Sequence, residues 1–229
     1  MKRNVSILLS MVLCLGLAGC GANQDVDANT AADSNAAGTA SENTSANEAN
    51  MTTLVYGSGD YTRINPALDE HGEINALIFD GLTDHDGNNQ VIPRLAKSWT
   101  YDADTKTYTF DLEDDVYWHD GEKFTADDVK FTYDVIMDEA NGSENAPNYE
   151  DVEDINVIDD TTIAFTLEDD NTAFLDYMTM AILPKHLLEG EDMQSSDFFR
   201  APVGTGPYKL ESWDAGQAIT LVKNENYFA

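Results

Sequence analysis

The sequence predicts a mixed α/β fold whose sheets are built from antiparallel hairpins. Residues 98–112 and 155–167 each contain two runs of alternating apolar and polar residues joined by a short acidic turn. That pattern is typical of a hairpin with one buried face. Between the two hairpins, Thr125 precedes an amphipathic run with the signals of a capped helix. Apolar runs at 207–213 and 218–224 predict two further strands.

The first fifty residues are expected to lie outside that fold. Residues 1–19 have a basic start, an uncharged apolar run and then small residues, which is the order of a secretory signal peptide. The segment L-A-G-C that ends at Cys20 is similar to the lipobox of bacterial lipoproteins, so lipidation of Cys20 and a membrane anchor are expected. An ordinary signal peptide with an incidental cysteine is the alternative. Residues 20–50 lack aromatic residues and are predicted to form a disordered tether.

The remaining elements follow in order along the chain. The sequence contains no internal repeat of fixed period. The patterns predict a buried strand at 51–60, a helix at 75–82, a turn at 84–89, and short helices at 172–179 and 185–190.

The charge composition restricts the partners of this protein. The chain has 12 basic and 43 acidic residues, and its formal net charge is −31. Nucleic acid and anionic membrane surfaces are poor partners for a field of that sign. Attraction of cationic ligands is one interpretation. A solvated acidic surface suited to a salty medium is the second interpretation. We favour it, because net charge acts mainly on solubility. Cys14 lies in the predicted signal peptide, so neither a disulfide nor a thiolate metal site is expected.

The stretch V-Y-W-H-D-G-E-K-F-T-A-D-D-V at 116–129 raises the question of a metal or acid–base site. Thr125 and Asp128 have the spacing of a capping box, in which each side chain binds the backbone N–H of the other residue. Phe124 and Val129 have the spacing of the accompanying hydrophobic staple. His119 has no second histidine at a ligand spacing. We therefore predict a strand, a turn and a capped helix here, with no metal site and no catalytic residue.

The same segments carry a resemblance to a known family. P-R-L-A-K-S-W at 93–99 and the stretch at 116–129 are similar to the signature region of family 5 extracellular solute-binding proteins. The resemblance covers nearly all of 53–228. Other segments occur in the family's order: I-N-P-A-L at 64–68, I-F-D-G-L at 78–82, I-L-P-K-H-L at 182–187, V-G-T-G-P-Y-K-L at 203–210 and V-K-N-E-N-Y-F at 222–228.

The resemblance implies a type II periplasmic-binding-protein-like clamshell, with two lobes around a cleft. Within these 229 residues the clamshell is expected to be incomplete. Lobe one would be discontinuous and formed by 51–72 and 200–229, with an inserted α/β domain at 73–199 and the second lobe absent. Gly204 and Gly206 suit a crossing point where the backbone approaches its neighbours closely, although a plain loop is equally compatible.

The resemblance also implies a function. Members are substrate-binding components of ABC importers, which capture small solutes outside the cytoplasm and deliver them to permease subunits. Di- and oligopeptides are the expected cargo, and relatives also bind nickel chelates, haem or oligosaccharides. The resemblance implies no cofactor and no enzymatic activity.

Six residues are candidate ligand contacts by the same resemblance. They follow the N-P-A-L motif, lie in the loop after the capped helix, or precede the I-L-P turn. Each has a plain structural alternative, since methionines are more often core residues than ligand contacts. The candidates are Asp69, His71, Ile74, Tyr149, Met178 and Met180.

Two other functions stay open at this point. A surface receptor or interaction module could retain the fold without transport. A secreted hydrolase could use paired carboxylates, although the chain has no G-x-S-x-G, H-E-x-x-H or phosphate-loop pattern.

Overall fold

The structure is a computed structural model that describes residues 53–69 and 72–229. Short helices alternate with antiparallel strands, as predicted. Single 3₁₀ turns lie at Glu139–Asn141, Ala146–Tyr149 and Asp197–Arg200. The helices are α1 (Asn75–Ile78), α2 (Ala126–Met137), α3 (Phe174–Tyr177) and α4 (Lys185–Leu188); the strands are β1 (Thr83–His85), β2 (Val91–Pro93), β3 (Ala96–Asp102), β4 (Thr107–Leu112), β5 (Val152–Asp159), β6 (Thr162–Leu167), β7 (Tyr208–Asp214) and β8 (Ala218–Lys223).

The main sheet has four antiparallel strands in the order β3-β4-β6-β5. Both predicted hairpins are confirmed, and they join because β4 pairs with β6. Alternate residues of the central strands β4 and β6 face the core, so Phe110 and Ile163 lie opposite each other and both are fully buried. On the other face Thr107 and Thr166 are paired through their hydroxyl groups, at 3.1 Å. The sheet therefore has one apolar and one polar face.

Helix α2 covers the apolar face of the sheet through one buried stripe. Val129, Tyr133 and Ile136 are fully buried, which confirms the predicted helical face. The ring of Tyr133 makes edge contacts with Phe165 and Tyr149, with centroids 5.1 and 5.0 Å apart. These contacts attach α2 both to the sheet and to the 3₁₀ turn at Ala146–Tyr149.

The acidic stretch before α2 shapes the backbone. Thr125 and Asp128 form the predicted capping box, and the Thr125 N–H donates to the Asp128 carboxylate at 2.9 Å. The same carboxylate accepts the Lys185 N–H at 2.9 Å, so it also fixes the start of α4. The strand predicted at 116–119 is wrong, because only an isolated bridge between Tyr117 and Lys123 forms there.

Replacing Asp128 with alanine is expected to lower the free energy of unfolding by about 2 kcal/mol, because two backbone N–H groups lose their acceptor at a buried site. Urea denaturation followed by circular dichroism measures the change. Asp127→Ala is the control, since Asp127 is exposed in the same helical turn and should change stability by less than about 0.5 kcal/mol. Equal losses in the two variants would contradict the cap.

Two elements differ from the sequence prediction. Residues 53–60 form neither helix nor strand, and Leu54 and Val55 are 87% and 88% exposed. The predicted strand at 51–60 is therefore wrong over 53–60, because no described strand lies beside it to accept its backbone hydrogen bonds. Helix α1 ends at Ile78 instead of near Gly81. There the chain extends so that the Leu82 N–H can donate to the Met178 carbonyl at 2.9 Å.

The glycines of the V-G-T-G-P segment pack directly on the end of α1. A Cβ atom added to Gly204 would lie 1.8 Å from the Ile78 carbonyl oxygen, and one added to Gly206 would lie 2.6 Å from the Ile78 carbonyl carbon. The Gly206 N–H donates to that Ile78 oxygen at 2.9 Å. The close approach expected at these glycines is confirmed, and it requires residues without a side chain.

His119 holds the same segment from the opposite side. The Gly204 N–H donates to His119 Nδ1 at 3.2 Å, so Nε2 carries the proton and donates to the Gly206 carbonyl at 3.0 Å. The backbone of His119 also donates to the Gly204 carbonyl at 2.8 Å. This histidine therefore joins the turn before α2 to the segment that leads into β7.

The neutral form of His119 is the one that fits these contacts. Burial lowers the pKa of His119 below the ordinary 6.5, and the hydrogen bond to Gly206 offsets only part of that effect. The unfolded chain thus binds a proton at this residue before the folded chain does. The contribution of neutral His119 to the stability of the folded protein is complete above about pH 6.5. It is lost as pH falls through the lowered pKa of His119.

His119→Gln should consequently flatten the decrease in melting temperature between about pH 7.5 and pH 5. Thermal melts of the variant and the parent protein across this range measure the slope. The rest of the sequence is the same in both proteins, so the comparison isolates the contribution of residue 119. Identical slopes in the two proteins would contradict the role of His119.

Residues Tyr56–Ala229 form one compact unit. The predicted division into lobe one (51–72 and 200–229) and an inserted domain (73–199) stays a prediction. The expected signal peptide, Cys20 lipidation and tether lie outside the described residues. No helix in the described part of the chain has the length and apolarity needed to cross a membrane.

Candidate functional site

A cavity of about 360 Å³ opens beside α1 and α3. Its walls come from α1, the segment between α1 and β1, the 3₁₀ turn after α2, and the chain that follows α3. Distant parts of the sequence therefore meet here, with mostly polar groups and a few aromatic rings between them. Its charged, amide and aromatic lining residues are Asp69, Asp80, Asp84, Arg94, Asp176, Asn75, Asn145, Asn148, Phe79, Tyr149 and Tyr177.

The structure brings three of the six candidate ligand contacts into the cavity wall, namely Asp69, Tyr149 and Met180. Ile74 is half-buried beside the lining residue Asn75 and does not itself line the cavity. His71 lies outside the described residues. The binding roles of these residues stay predictions.

Met178 is 0% exposed and belongs to the core. The Tyr133 hydroxyl donates to its sulfur at 3.3 Å, and its carbonyl accepts the N–H groups of Leu82 and Thr83. The structure therefore gives Met178 a packing role behind the cavity wall.

Tyr149 forms a rigid part of the wall. Its hydroxyl donates to the Tyr177 carbonyl at 2.7 Å, and burial raises the pKa of Tyr149 well above its ordinary value. The phenol stays protonated and keeps that hydrogen bond. Tyr149 consequently presents an apolar ring surface to the cavity while its polar atom is already bonded.

Asp80 and Arg94 form an ion pair in the cavity lining, in which Asp80 is buried and Arg94 is half-buried. Arg94 Nε donates to Asp80 at 2.8 Å, and the Asp80 side chain is 3% exposed. The hydroxyl groups of Tyr227 and Thr205 donate to Asp80 at 2.9 and 3.2 Å. Burial alone would lower the pKa of Arg94, but the hydrogen bond and charge of Asp80 raise it overall. Arg94 therefore stays charged, and the hydrogen bond from Tyr227 to Asp80 ties the chain near residue 227 to the cavity wall.

Two further carboxylates in the cavity lining, Asp84 and Asp176, contact His85. The His85 N–H donates to Asp84 at 2.8 Å, and His85 Nε2 lies 2.8 Å from Asp176. Asp84 is exposed and the side chain of Asp176 is 47% exposed. Sequence reasoning missed Asp80, Asp84, Arg94 and Asp176, because Arg94 and Asp176 come from other segments than the two aspartates and no motif joins the four.

The lining suits the binding of a polar solute. It offers carboxylates and amides that can hydrogen-bond a ligand, with aromatic rings beside them, around an open volume. Within residues 53–69 and 72–229, no group of three or more histidine, cysteine, aspartate or glutamate side chains could hold a metal ion.

Comparison with known proteins assigns the family. The sequence model described as bacterial extracellular solute-binding proteins, family 5 Middle, matches residues 90–229, which is more than half of the chain. The chain belongs to this family. The family 5 assignment confirms the resemblance noted in the sequence.

Solved structures of other solute-binding proteins share the fold. NikZ from Campylobacter jejuni, in complex with Ni(L-His), superposes with a TM-score of 0.71 at 40% identity, over 74% of this chain and 35% of that chain. The ABC transporter substrate-binding protein CtaP from Listeria monocytogenes superposes with a TM-score of 0.66 at 35% identity, over 75% and 36%. The fold is therefore part of a type II periplasmic binding protein, as expected.

A curated relative matches a similar share of the chain. The oligopeptide-binding protein AppA from Bacillus subtilis is 32% identical over 185 residues, which cover 76% of this chain and 34% of that protein. Its structure with a nonapeptide superposes with a TM-score of 0.69 at 31% identity, over 74% of this chain and 36% of that chain. The family 5 chain described here spans about a third of the length of the curated relatives that it matches.

Proposed function

We propose that this protein is the substrate-binding component of an ABC importer and that its cargo is a short peptide. The observation that carries the proposal is the cavity of about 360 Å³, whose polar lining is formed within a family 5 fold. AppA, one of the relatives, is described with a nonapeptide. The cavity wall would supply one side of the ligand cleft, with Asp69, Tyr149 and Met180 among the contacts.

The proposal extends to the place of action. Proteins of this family act outside the cytoplasm, and the L-A-G-C segment supports a lipid anchor at Cys20. The anchored protein would collect solute beside the membrane and present it to the permease subunits of the importer. The chemistry is binding and release, so no bond in the cargo is made or broken.

A cavity-filling variant tests the proposed site. Ala76 lines the cavity from an exposed position on α1, whereas its neighbour Leu77 is exposed and does not line it. Ala76→Trp is expected to weaken peptide binding at least about tenfold because the indole fills the space, while Leu77→Trp should retain binding. Isothermal titration of the purified proteins with a pool of di-, tri- and tetrapeptides measures both. Retained binding in Ala76→Trp would contradict this location.

A nickel chelate is the second candidate cargo, because NikZ is described in complex with Ni(L-His) and is 40% identical to this chain. Such a chelate brings most of its own metal ligands, so it does not require a cluster of protein ligands. The same titration with Ni(II) and L-histidine separates the two cargoes. Heat of binding with the chelate and none with the peptide pool would replace the peptide proposal.

A further inference from the structure

The cavity has an uneven charge balance. Four carboxylates line it, from Asp69, Asp80, Asp84 and Asp176, against one guanidinium from Arg94. The number of charges does not by itself describe the field, because some of these groups are already neutralised by a partner. The partners of each group decide which charges a ligand would meet.

Two of the four carboxylates are paired with arginine. Asp69 receives two hydrogen bonds from Arg63, from Nε at 2.8 Å and from a terminal nitrogen at 2.7 Å. Asp80 is paired with Arg94 at 2.8 Å and receives two hydroxyl groups as well. A bidentate or buried pair of this kind holds its charges together. These two aspartates therefore contribute little net charge to the cavity.

Asp84 and Asp176 have no such partner. Among the described residues neither carboxylate lies within 4.0 Å of a lysine or arginine nitrogen, and each makes its contact with His85 instead. Both line the cavity and both are partly open to solvent. His85 orients the two carboxylates, because it binds one through its backbone N–H and the other through its ring.

Arg94 does not neutralise them. Its guanidinium binds Asp80 and contacts the Tyr227 hydroxyl. The guanidinium carbon also lies over the Tyr227 ring, 5.3 Å from the ring centre. Asp84 is close enough to contribute to the raised pKa of Arg94, yet the two do not form an ion pair within 4.0 Å. The arginine thus remains bound to Asp80, and His85 is the only basic residue among the described residues that contacts Asp84 or Asp176.

We propose that this cavity selects peptides with a positively charged side chain, with Asp84 and Asp176 receiving the side-chain ammonium or guanidinium group. The inference rests on the proposed function and adds to it the charge class of the peptide. The net charge of −31 acts in the same direction, because it raises the local concentration of cations around the whole protein. A ligand carboxylate at this position would meet two carboxylates, whereas the guanidinium of Arg94 is already bound to Asp80.

Three tripeptides that differ only at the central residue test the charge preference. The purified protein is titrated with Ala-Lys-Ala, Ala-Ala-Ala and Ala-Glu-Ala at low and high salt. We expect Ala-Lys-Ala to bind at least about tenfold more tightly than Ala-Glu-Ala at low salt, with a smaller ratio at high salt, because partly exposed charges are screened.

Single-charge variants test whether Asp84 and Asp176 cause the preference for the lysine peptide. Asp84→Asn and Asp176→Asn should each reduce the ratio between the lysine and glutamate peptides at least about threefold. Asp104→Asn is the matched control, since Asp104 is exposed in the β3–β4 turn and does not line the cavity, so the ratio should not change. An unchanged ratio in both cavity variants would overturn the assignment.

The outcomes separate this inference from the proposed function. Equal binding of all three peptides would overturn the charge preference and leave peptide capture intact, as would tighter binding of Ala-Glu-Ala. Absence of binding by all three would overturn peptide capture and the charge preference together.

Discussion

Gly204→Ala is expected to destabilise the protein by at least about 3 kcal/mol, or to prevent its folding. The added methyl group would lie 1.8 Å from the Ile78 carbonyl oxygen, which is backbone at the end of α1 and cannot rotate away. Moving Gly204 would also break its hydrogen bonds with His119, because both its N–H and its carbonyl are bonded there. Urea denaturation followed by circular dichroism measures the loss.

Gly87→Ala is the control for that substitution. Gly87 lies in the β1–β2 turn, and a Cβ atom added there would meet nothing within 4 Å. Its stability should be unchanged or slightly higher, since alanine has fewer unfolded conformations than glycine. A similar loss in Gly87→Ala and Gly204→Ala would show that the close approach to Ile78 is not the cause.

Asp80→Ala is expected to cost about 3–5 kcal/mol, because it leaves the Arg94 guanidinium without its carboxylate in a mostly buried position. The hydroxyl groups of Thr205 and Tyr227 lose their acceptor at the same time. The free energy of unfolding from urea denaturation gives the magnitude.

A double variant separates the unpaired charge from the lost contacts. Asp80→Ala combined with Arg94→Met removes both charges, so it should be less destabilised than Asp80→Ala alone. The single variant Arg94→Met completes the double-mutant cycle. If the two single losses simply add in the double variant, the pair is not coupled and the proposed cause is wrong.

Local patterns in the sequence predicted the local structure well. The two hairpins of the main sheet and the capping box at Thr125 and Asp128 were predicted because alternation and cap spacing act over a few residues. The fold class followed from these elements and from the resemblance to family 5 proteins, and the solved structures confirm it.

Contacts between distant segments could not be predicted in the same way. The strand expected at 51–60 has the right composition, but a strand forms only where a neighbour accepts its hydrogen bonds, and composition does not specify that neighbour. The pairing of Asp80 with Arg94 and Tyr227, and the contact of His85 with Asp176, likewise join segments that no spacing connects. The cavity charges therefore became visible only in the structure.

The hydrogen bond between Tyr227 and Asp80 also bears on the order of events during synthesis. The two residues are 147 positions apart, so the ribosome must synthesise the whole stretch between them before the bond can form. The β3–β4 and β5–β6 hairpins close over short loops and can form first, whereas closing so long a loop slows the final step. A nascent chain halted before residue 227 would consequently hold its hairpins while the Asp80 carboxylate still lacked the tyrosine hydroxyl.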